Sequence, residues 1–353
     1  MRVLFIGGTG VISTACTRVA AERGMSVTLL TRGVSERPVP AGVRVLRGDI
    51  RDAASARAVL AGETFDAVVD WVAFSPEHVE TDLDLFRGRT GQYVFVSSAS
   101  AYETPPRALP VTEQTPLSNP LWAYSRAKIA AEARLMQAFR DEAFPATIVR
   151  PSHTVDETRL PTAGYYTSVA RMRRGAPVVV HGDGASLWTL THSDDFARAF
   201  VGLLGAPAAL GEAYTITSDE WLTWDEIYRT VARAAGAGEP EIVHIPSDVV
   251  ARFDAVWGES LLGDKAHSRI FDTSKIKAAG PGRRRRPGPD DGPDRRGDER
   301  HRAEGVRQKD FSVPHAPPLI PAAPRRRCPA ASADSDPPRS ASEAASSARS
   351  AGW

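Results

Sequence analysis

The first dozen residues constrain this chain most. Arg2-Val3-Leu4-Phe5-Ile6 is an almost unbroken apolar run, and Gly7-Gly8-Thr9-Gly10-Val11-Ile12-Ser13 follows it directly. A run that is apolar on both faces reads as a strand buried in a parallel sheet. Glycines between such a run and an amphipathic stretch read as a tight strand-to-helix turn. Gly7 suits that turn. Gly10 lets backbone approach a pyrophosphate lying on the positive end of the helix. The third small position is Ser13 rather than glycine, so the dinucleotide fingerprint is imperfect, and an ordinary βα turn is the bland alternative. Its place inside a βαβ unit favours the nucleotide. Gly7, Thr9, Gly10, Val11 and Ile12 are therefore candidate cofactor contacts.

The pattern that opens the chain repeats through residue 150. Apolar runs at Val3–Ile6, Val27–Leu30, Val43–Leu46, Ala67–Val72, Tyr93–Val96 and Thr147–Val149 alternate with helical stretches at Ile12–Arg23, Ala53–Leu60, Pro76–Phe86 and Ala123–Phe139. Six buried strands joined by helices predict an α/β fold, a doubly wound parallel sheet of the Rossmann type over residues 1–150. Residues 151–279 read as a smaller substrate lobe that shares some core elements. Its helices are expected at Tyr165–Arg174, Asp194–Leu204, Trp224–Ala235 and Ser247–Trp257, and its strands at Val178–Val180, Ala213–Ile216 and Ile242–Ile245. Thr223 with Glu226 forms a capping box at one helix start.

From Gly280 the text becomes rich in Arg, Pro, Ala and Ser, with 12 of the chain's 27 prolines. Such a segment buries too little to offset its ordering entropy, so residues 280–353 are expected to be a disordered tail. The net charge of +1 is a sum of unlike parts, because residues 1–279 carry 29 Lys and Arg against 33 Asp and Glu. That acidic body gives no footprint for nucleic acid. Cys16 and Cys328 fall in different regions, which excludes a disulfide framework. No apolar run is long enough for a membrane span, no leader pattern opens the chain, and a cytoplasmic location is expected. The histidines show no spacing that suits a metal, and none is assigned.

The end of the second strand, Thr31-Arg32-Gly33, offers no carboxylate for an adenosine ribose. Arg32 can instead pair with a 2′-phosphate, so NADP is favoured over NAD, a solvated arginine being the plain alternative. Gly48-Asp49-Ile50 after the third strand places Asp49 and Ile50 near the adenine, although aspartate is common in turns. Tyr124 and Lys128 stand four residues apart on one helical face. A phenol titrates near ~10 unless a neighbouring cation stabilises its anion, which is what such a lysine provides. Ser97 and Ser98 end the fifth strand, where a hydroxyl faces the carboxyl edge of the sheet.

Together the glycine loop, Gly48-Asp49, Ser97-Ser98 and Tyr124/Lys128 resemble the extended short-chain dehydrogenases/reductases of the NAD-dependent epimerase/dehydratase family, over about residues 1–279. The resemblance implies an NAD(P)-dependent oxidoreductase or epimerase acting on a hydroxyl or carbonyl of a small, sugar-like molecule. It implies that Ser98 orients the substrate oxygen, Tyr124 moves the proton, and Lys128 holds the nicotinamide ribose and tunes Tyr124. Pro151 would then pass beside the nicotinamide, with Ser152, His153 and Trp188 in the substrate pocket. It also implies a homodimer through the helix carrying Tyr124.

Departures narrow this reading. Ser98 is followed by Ala99-Ser100 where the dehydratases carry an Asp-Glu pair. Gly182-Asp-Gly-Ala-Ser-Leu-Trp188 puts a tryptophan where the nucleotide-sugar enzymes carry an arginine for phosphate. His192 and Asp195 read as helix-capping residues. A non-catalytic NAD(P)-binding sensor or an RNA-binding relative of the fold is the alternative, disfavoured by the complete Ser98/Tyr124/Lys128 set. The abrupt change near Ala279, just after Phe271-Asp-Thr-Ser-Lys-Ile276, points to a frameshift as the origin of the tail.

Overall fold

The computed structural model describes residues 1–279. The tail, its proposed frameshift origin and Cys328 lie outside the described residues. The chain begins with β1 (Arg2–Ile6), α1 (Val11–Glu22), β2 (Ser26–Thr31), β3 (Arg44–Arg47), α2 (Ala53–Val59), β4 (Ala67–Asp70), α3 (Pro76–Phe86) and β5 (Tyr93–Val96). It continues through α4 (Ala123–Glu142), β6 (Ala146–Pro151), β7 (His153–Val155), α5 (Tyr166–Arg173), β8 (Val178–His181), β9 (Leu187–Trp188) and β10 (Leu190–His192). Last come α6 (Ser193–Val201), β11 (Ala213–Ile216), β12 (Leu222–Thr223), α7 (Trp224–Ala234), β13 (Ile242–Ile245), α8 (Ser247–Phe253), α9 (Ala255–Ser260) and α10 (Ser274–Ala279).

The main sheet runs β3-β2-β1-β4-β5-β6-β11, and every pairing in it is parallel. Both faces are covered, as the continuous apolar runs require. Val3 and Phe5 pack with α1 and α6, whereas Leu4 and Ile6 pack with α2, α3 and α4. These four side chains are at most 1% exposed, each worth about 2 kcal/mol of burial. A one-residue slip would exchange their faces, so they fix the register of β1.

The strand expected at Ala213–Ile216 is the seventh strand of this sheet rather than part of the lobe. The shared core elements are thus α6, β11 and α10, and α6 lies directly on α1. The helix expected over Ser247–Trp257 is two helices. Asp254 leaves helical geometry and its carboxylate accepts from Trp257 N, starting α9 afresh. The lobe has its own core of Val169, Met172, Val180, Trp188, Trp224, Ile227 and Val231. The Thr223/Glu226 capping box opens α7 as expected.

One buried ion pair ties the helix carrying Tyr124 to the sheet. Arg150 on β6 donates to both carboxylate oxygens of Glu132 on α4, at 2.5 to 3.2 Å, and to Tyr102 Oη at 3.0 Å. Both side chains are nearly inaccessible, so the position of α4 over β6 is set by charge as well as by packing.

Candidate active site

The carboxyl ends of β1, β2, β4, β5 and β6 bring the sequence-selected residues to one edge of the sheet. Gly7 and Gly8 have φ of +100° and +98°, a region that residues with a side chain rarely enter. A Cβ added at Gly8 would lie 2.6 Å from Leu29 Cδ2. Glycine is required there by both conformation and space. At the N-cap of α1, Gly10 has no side chain with which to cap the first-turn amides, and its own N–H is taken by Ser13 Oγ at 2.8 Å. Donors without a protein acceptor at a helix N-terminus are what a diphosphate needs. The residues present therefore fit a dinucleotide, with Thr9, Val11 and Ile12 partly accessible beside Gly10.

Arg32 is exposed at the end of β2, and Arg47 lies across Gly33, where an added Cβ would come within 1.0 Å of its Nη1. Two guanidinium groups thus sit at the strand ends and no carboxylate stands at the end of β2. Asp49 accepts from Arg51 N at 2.9 Å, which makes it a turn-forming aspartate, while Ile50 is buried. Sequence reasoning missed Arg37. Its guanidinium donates to Gly10 O at 3.3 Å and Asp156 Oδ2 at 2.7 Å, tying the glycine loop to the segment after β7.

Tyr124, Ser98 and Lys128 come together. The Tyr124 phenol is raised to about 12 by burial, and the neighbouring Ser98 side chain pulls it the other way. Ser98 Oγ stands 2.9 Å from Ser100 Oγ, to which Ser125 Oγ donates at 2.7 Å. Lys128, one turn after Tyr124, is buried, and its Nζ donates to Ala73 O and Val96 O at 2.7 Å each. It lies 4.7 Å from the ring centre of Phe74, 4.8 Å from that of Phe95 and 5.9 Å from that of Tyr124. Burial lowers it to about 7.

A second group unseen in the sequence lies beneath Lys128. Asp70, at the end of β4 and 0% exposed, accepts from Val72 N at 2.5 Å and Ala73 N at 2.8 Å, and pairs with Arg51 at 2.8 Å. Asp82 accepts from Tyr93 Oη at 2.6 Å, and burial, then Asp70, hold its carboxyl well above the usual range. Asp70 thus shapes the turn whose carbonyl, Ala73 O, holds Lys128. The signal was an aspartate ending an otherwise apolar strand.

The remaining pocket residues divide. Pro151 ends β6 and is buried. Ser152 Oγ is committed to Thr191 and Thr217 hydroxyls, both at 2.9 Å. His153 Nδ1 accepts from Trp188 Nε1 at 3.0 Å, and burial, then Lys265, lower the imidazole to about 3. Trp188 is buried and packs on Trp224 with ring centres 5.4 Å apart, so it belongs to the wall of the lobe rather than to open space. His192 accepts from Asp194 N at the start of α6, and Asp195 pairs with Arg198, as capping and surface roles require.

Residues 3–217 match the model of the NAD dependent epimerase/dehydratase family. A 2'-dehydrokanamycin reductase from Streptomyces kanamyceticus is 29% identical over 294 residues, 82% of each chain. The chloroplast stem-loop binding protein of 41 kDa b from Arabidopsis thaliana is 28% identical over 257 residues, 69% of this chain and 65% of that one. Among solved structures, a dTDP-glucose 4,6-dehydratase from Streptomyces venezuelae with NAD and TYD bound has a TM-score of 0.62 at 23% identity, covering 79% of this chain and 90% of that one. The epimerase Mth375 from Methanothermobacter thermautotrophicus has a TM-score of 0.65 at 18% identity, covering 79% and 85%. Among the described residues no helix is long and apolar enough to cross a membrane.

Proposed function

Because the chain belongs to the NAD-dependent epimerase/dehydratase family, we propose that it is an NADP-preferring oxidoreductase that reduces a carbonyl, or oxidises the matching hydroxyl, of a small sugar-like molecule. The observation that carries this reading is the meeting of Tyr124, Ser98 and Lys128 beside the glycine loop. When bound, the dinucleotide supplies the hydride acceptor or donor and, once oxidised, a positive charge. Tyr124 exchanges a proton with the substrate oxygen through Oη, and Ser98 orients that oxygen. A phenol pushed up to about 12 by burial is protonated at neutral pH, the form that donates to a carbonyl oxygen in reduction. Run in reverse, the phenolate must form, and the Lys128 ammonium one turn away is the protein charge that favours it. Lys128 would also hold the nicotinamide ribose, once its amine leaves one of its two carbonyls.

The rest of the site narrows the reaction. Ala99 and Ser100 supply no carboxyl group after Ser98, and Ser100 Oγ is enclosed by Ser98 and Ser125, so water elimination lacks its acid and base. Trp188 offers a phosphate no charge. Both features favour simple reduction of a substrate without a nucleotide diphosphate. An epimerase would use the same three residues and return hydride to the other face of a rotated ketone. The sequence likeness to the stem-loop binding protein favours a second reading, RNA binding without catalysis.

The test is a fluorescence titration with NADPH and NADH, followed by turnover of a carbonyl panel by wild type and Tyr124→Phe. Tighter NADPH binding, with turnover lost in the variant and cofactor affinity kept, is the expected result. Undiminished turnover by Tyr124→Phe overturns the mechanism.

A further inference from the structure

Lys265 is placed by the fold with unusual redundancy. Its backbone carbonyl accepts from three side chains of the lobe, His181 Nε2 at 3.0 Å, Ser186 Oγ at 3.2 Å and Trp224 Nε1 at 3.2 Å. Its side chain reaches the other way, so that Nζ stands 5.5 Å from the ring centre of Trp122. Trp122 in turn lies 5.0 Å, ring to ring, from Tyr124. Lys265 therefore spans from the lobe to the edge of the proton-transfer site.

Its amine makes no hydrogen bond or ion pair among the described residues. Asp264, the preceding residue, reaches it with its negative charge and is shared with Arg269 at 3.3 Å. The other groups whose charge reaches it add no negative charge: Arg159 is a cation, and His153 and His181 are kept neutral by burial. Burial lowers the Lys265 amine from its ordinary value. One carboxylate, Asp264, thus faces two cations, Lys265 and Arg269, which leaves the Lys265 amine able to take a further anion. Three hydrogen bonds to its backbone carbonyl fix the residue in place.

We propose that Lys265 binds an anionic group, carboxylate or phosphate, carried by the substrate next to its reacting carbonyl. This rests on the reading of Tyr124 given above and adds a substrate class to it. Trp122 forms the apolar side of the subsite and Lys265 its charged end, so the substrate lies between the lobe and Tyr124.

The chain holds only five lysines, so protein labelled with 13Cε-lysine gives five signals, and Lys265 is assigned by its loss in Lys265→Arg. Wild type is titrated with inorganic phosphate and with acetate, each with and without NADPH. A saturable shift of the Lys265 signal with either probe is expected. Calorimetry of the same probe should be at least tenfold weaker in Lys265→Met, which keeps the backbone carbonyl and the packing on Trp122. Phosphate taken up only at the glycine loop leaves the Lys265 signal in place, and that result overturns the proposal, as does equal binding by Lys265→Met. If Lys265→Met does not fold, the wild-type spectrum alone decides. NADPH affinity is read separately. Its absence defeats the oxidoreductase reading, whereas intact NADPH binding with a silent Lys265 defeats only this inference.

Discussion

Lys128 makes a measurable demand on the stability of the free protein. Burial brings its amine from 10.5 in the open chain to about 7 in the fold. Between those two values the unfolded chain binds one more proton than the folded one, so stability rises with pH across that window. Below pH 7 both states are protonated and the full penalty stands. Above the unfolded value it vanishes. The slope approaches about 1.4 kcal/mol per pH unit. Averaged over partial titration near 7, the gain from pH 7 to 9 is about 2 kcal/mol. For a body of this size that is roughly 4–8 °C in Tm.

Other groups must be removed from the comparison. The Cys16 thiol is pushed well above its usual range by burial, and this opposes Lys128 at the alkaline end. The experiment is therefore a difference, urea unfolding of wild type and Lys128→Met at pH 7, 8 and 9. The variant leaves Ala73 O and Val96 O without the amine, which shifts its stability by a constant but not by a pH-dependent amount. Wild type should gain about 2 kcal/mol on the variant between pH 7 and 9. A difference that stays flat within half of that refutes the reasoning, and with it the picture of Lys128 as a buried amine waiting for a partner.

Replacing Glu132 by Gln leaves the Arg150 guanidinium charged and buried, and should lower stability by about 3 kcal/mol, read as a lower urea midpoint with unchanged slope. Arg32→Ala should weaken NADPH binding about 10- to 100-fold, the range of one charged hydrogen bond, and leave NADH within twofold; equal losses for both would remove the 2′-phosphate assignment. Gly8→Ala combines a φ of +98° with a Cβ 2.6 Å from Leu29, and should abolish cofactor binding at a stability cost of about 1–3 kcal/mol. For the RNA reading, filter retention of an RNA stem-loop should be weak and insensitive to removal of residues 280–353. A steep loss with salt, dependent on those residues, would point to their basic runs.

The sheet, the glycine turn and the nearness of Tyr124 to Lys128 were legible because each is written along a short stretch. An apolar strand, a glycine turn and a helical repeat of four need only local text. What the sequence hid depends on contacts between distant positions. Asp70 and Asp82 meet only because α3 folds back over β4, and Ser152 turns to Thr191 and Thr217 because β11 joins β6. Ala213–Ile216 has the composition of any short strand, and nothing local says which sheet receives it. Trp188 packs on Trp224, far along the chain, a contact that no local text announces.

One compositional signal did point at the hidden residue. The chain has 44 Lys and Arg, of which only five are Lys, so a basic side chain here is almost always a guanidinium. Two of the four described lysines, Lys128 and Lys265, lie against the aromatic rings around Tyr124. Arginine cannot release its proton in a protein and spreads its charge over a planar fork, whereas an amine is a compact charge that shifts readily on burial. Where nearly every cation is arginine, an internal lysine marks a place that needs an amine. By that argument Lys265→Arg should keep some anion binding but lose the fit, while Lys275 and Lys277, which pair with Glu212 and Asp219 near the surface, should accept arginine without effect on turnover.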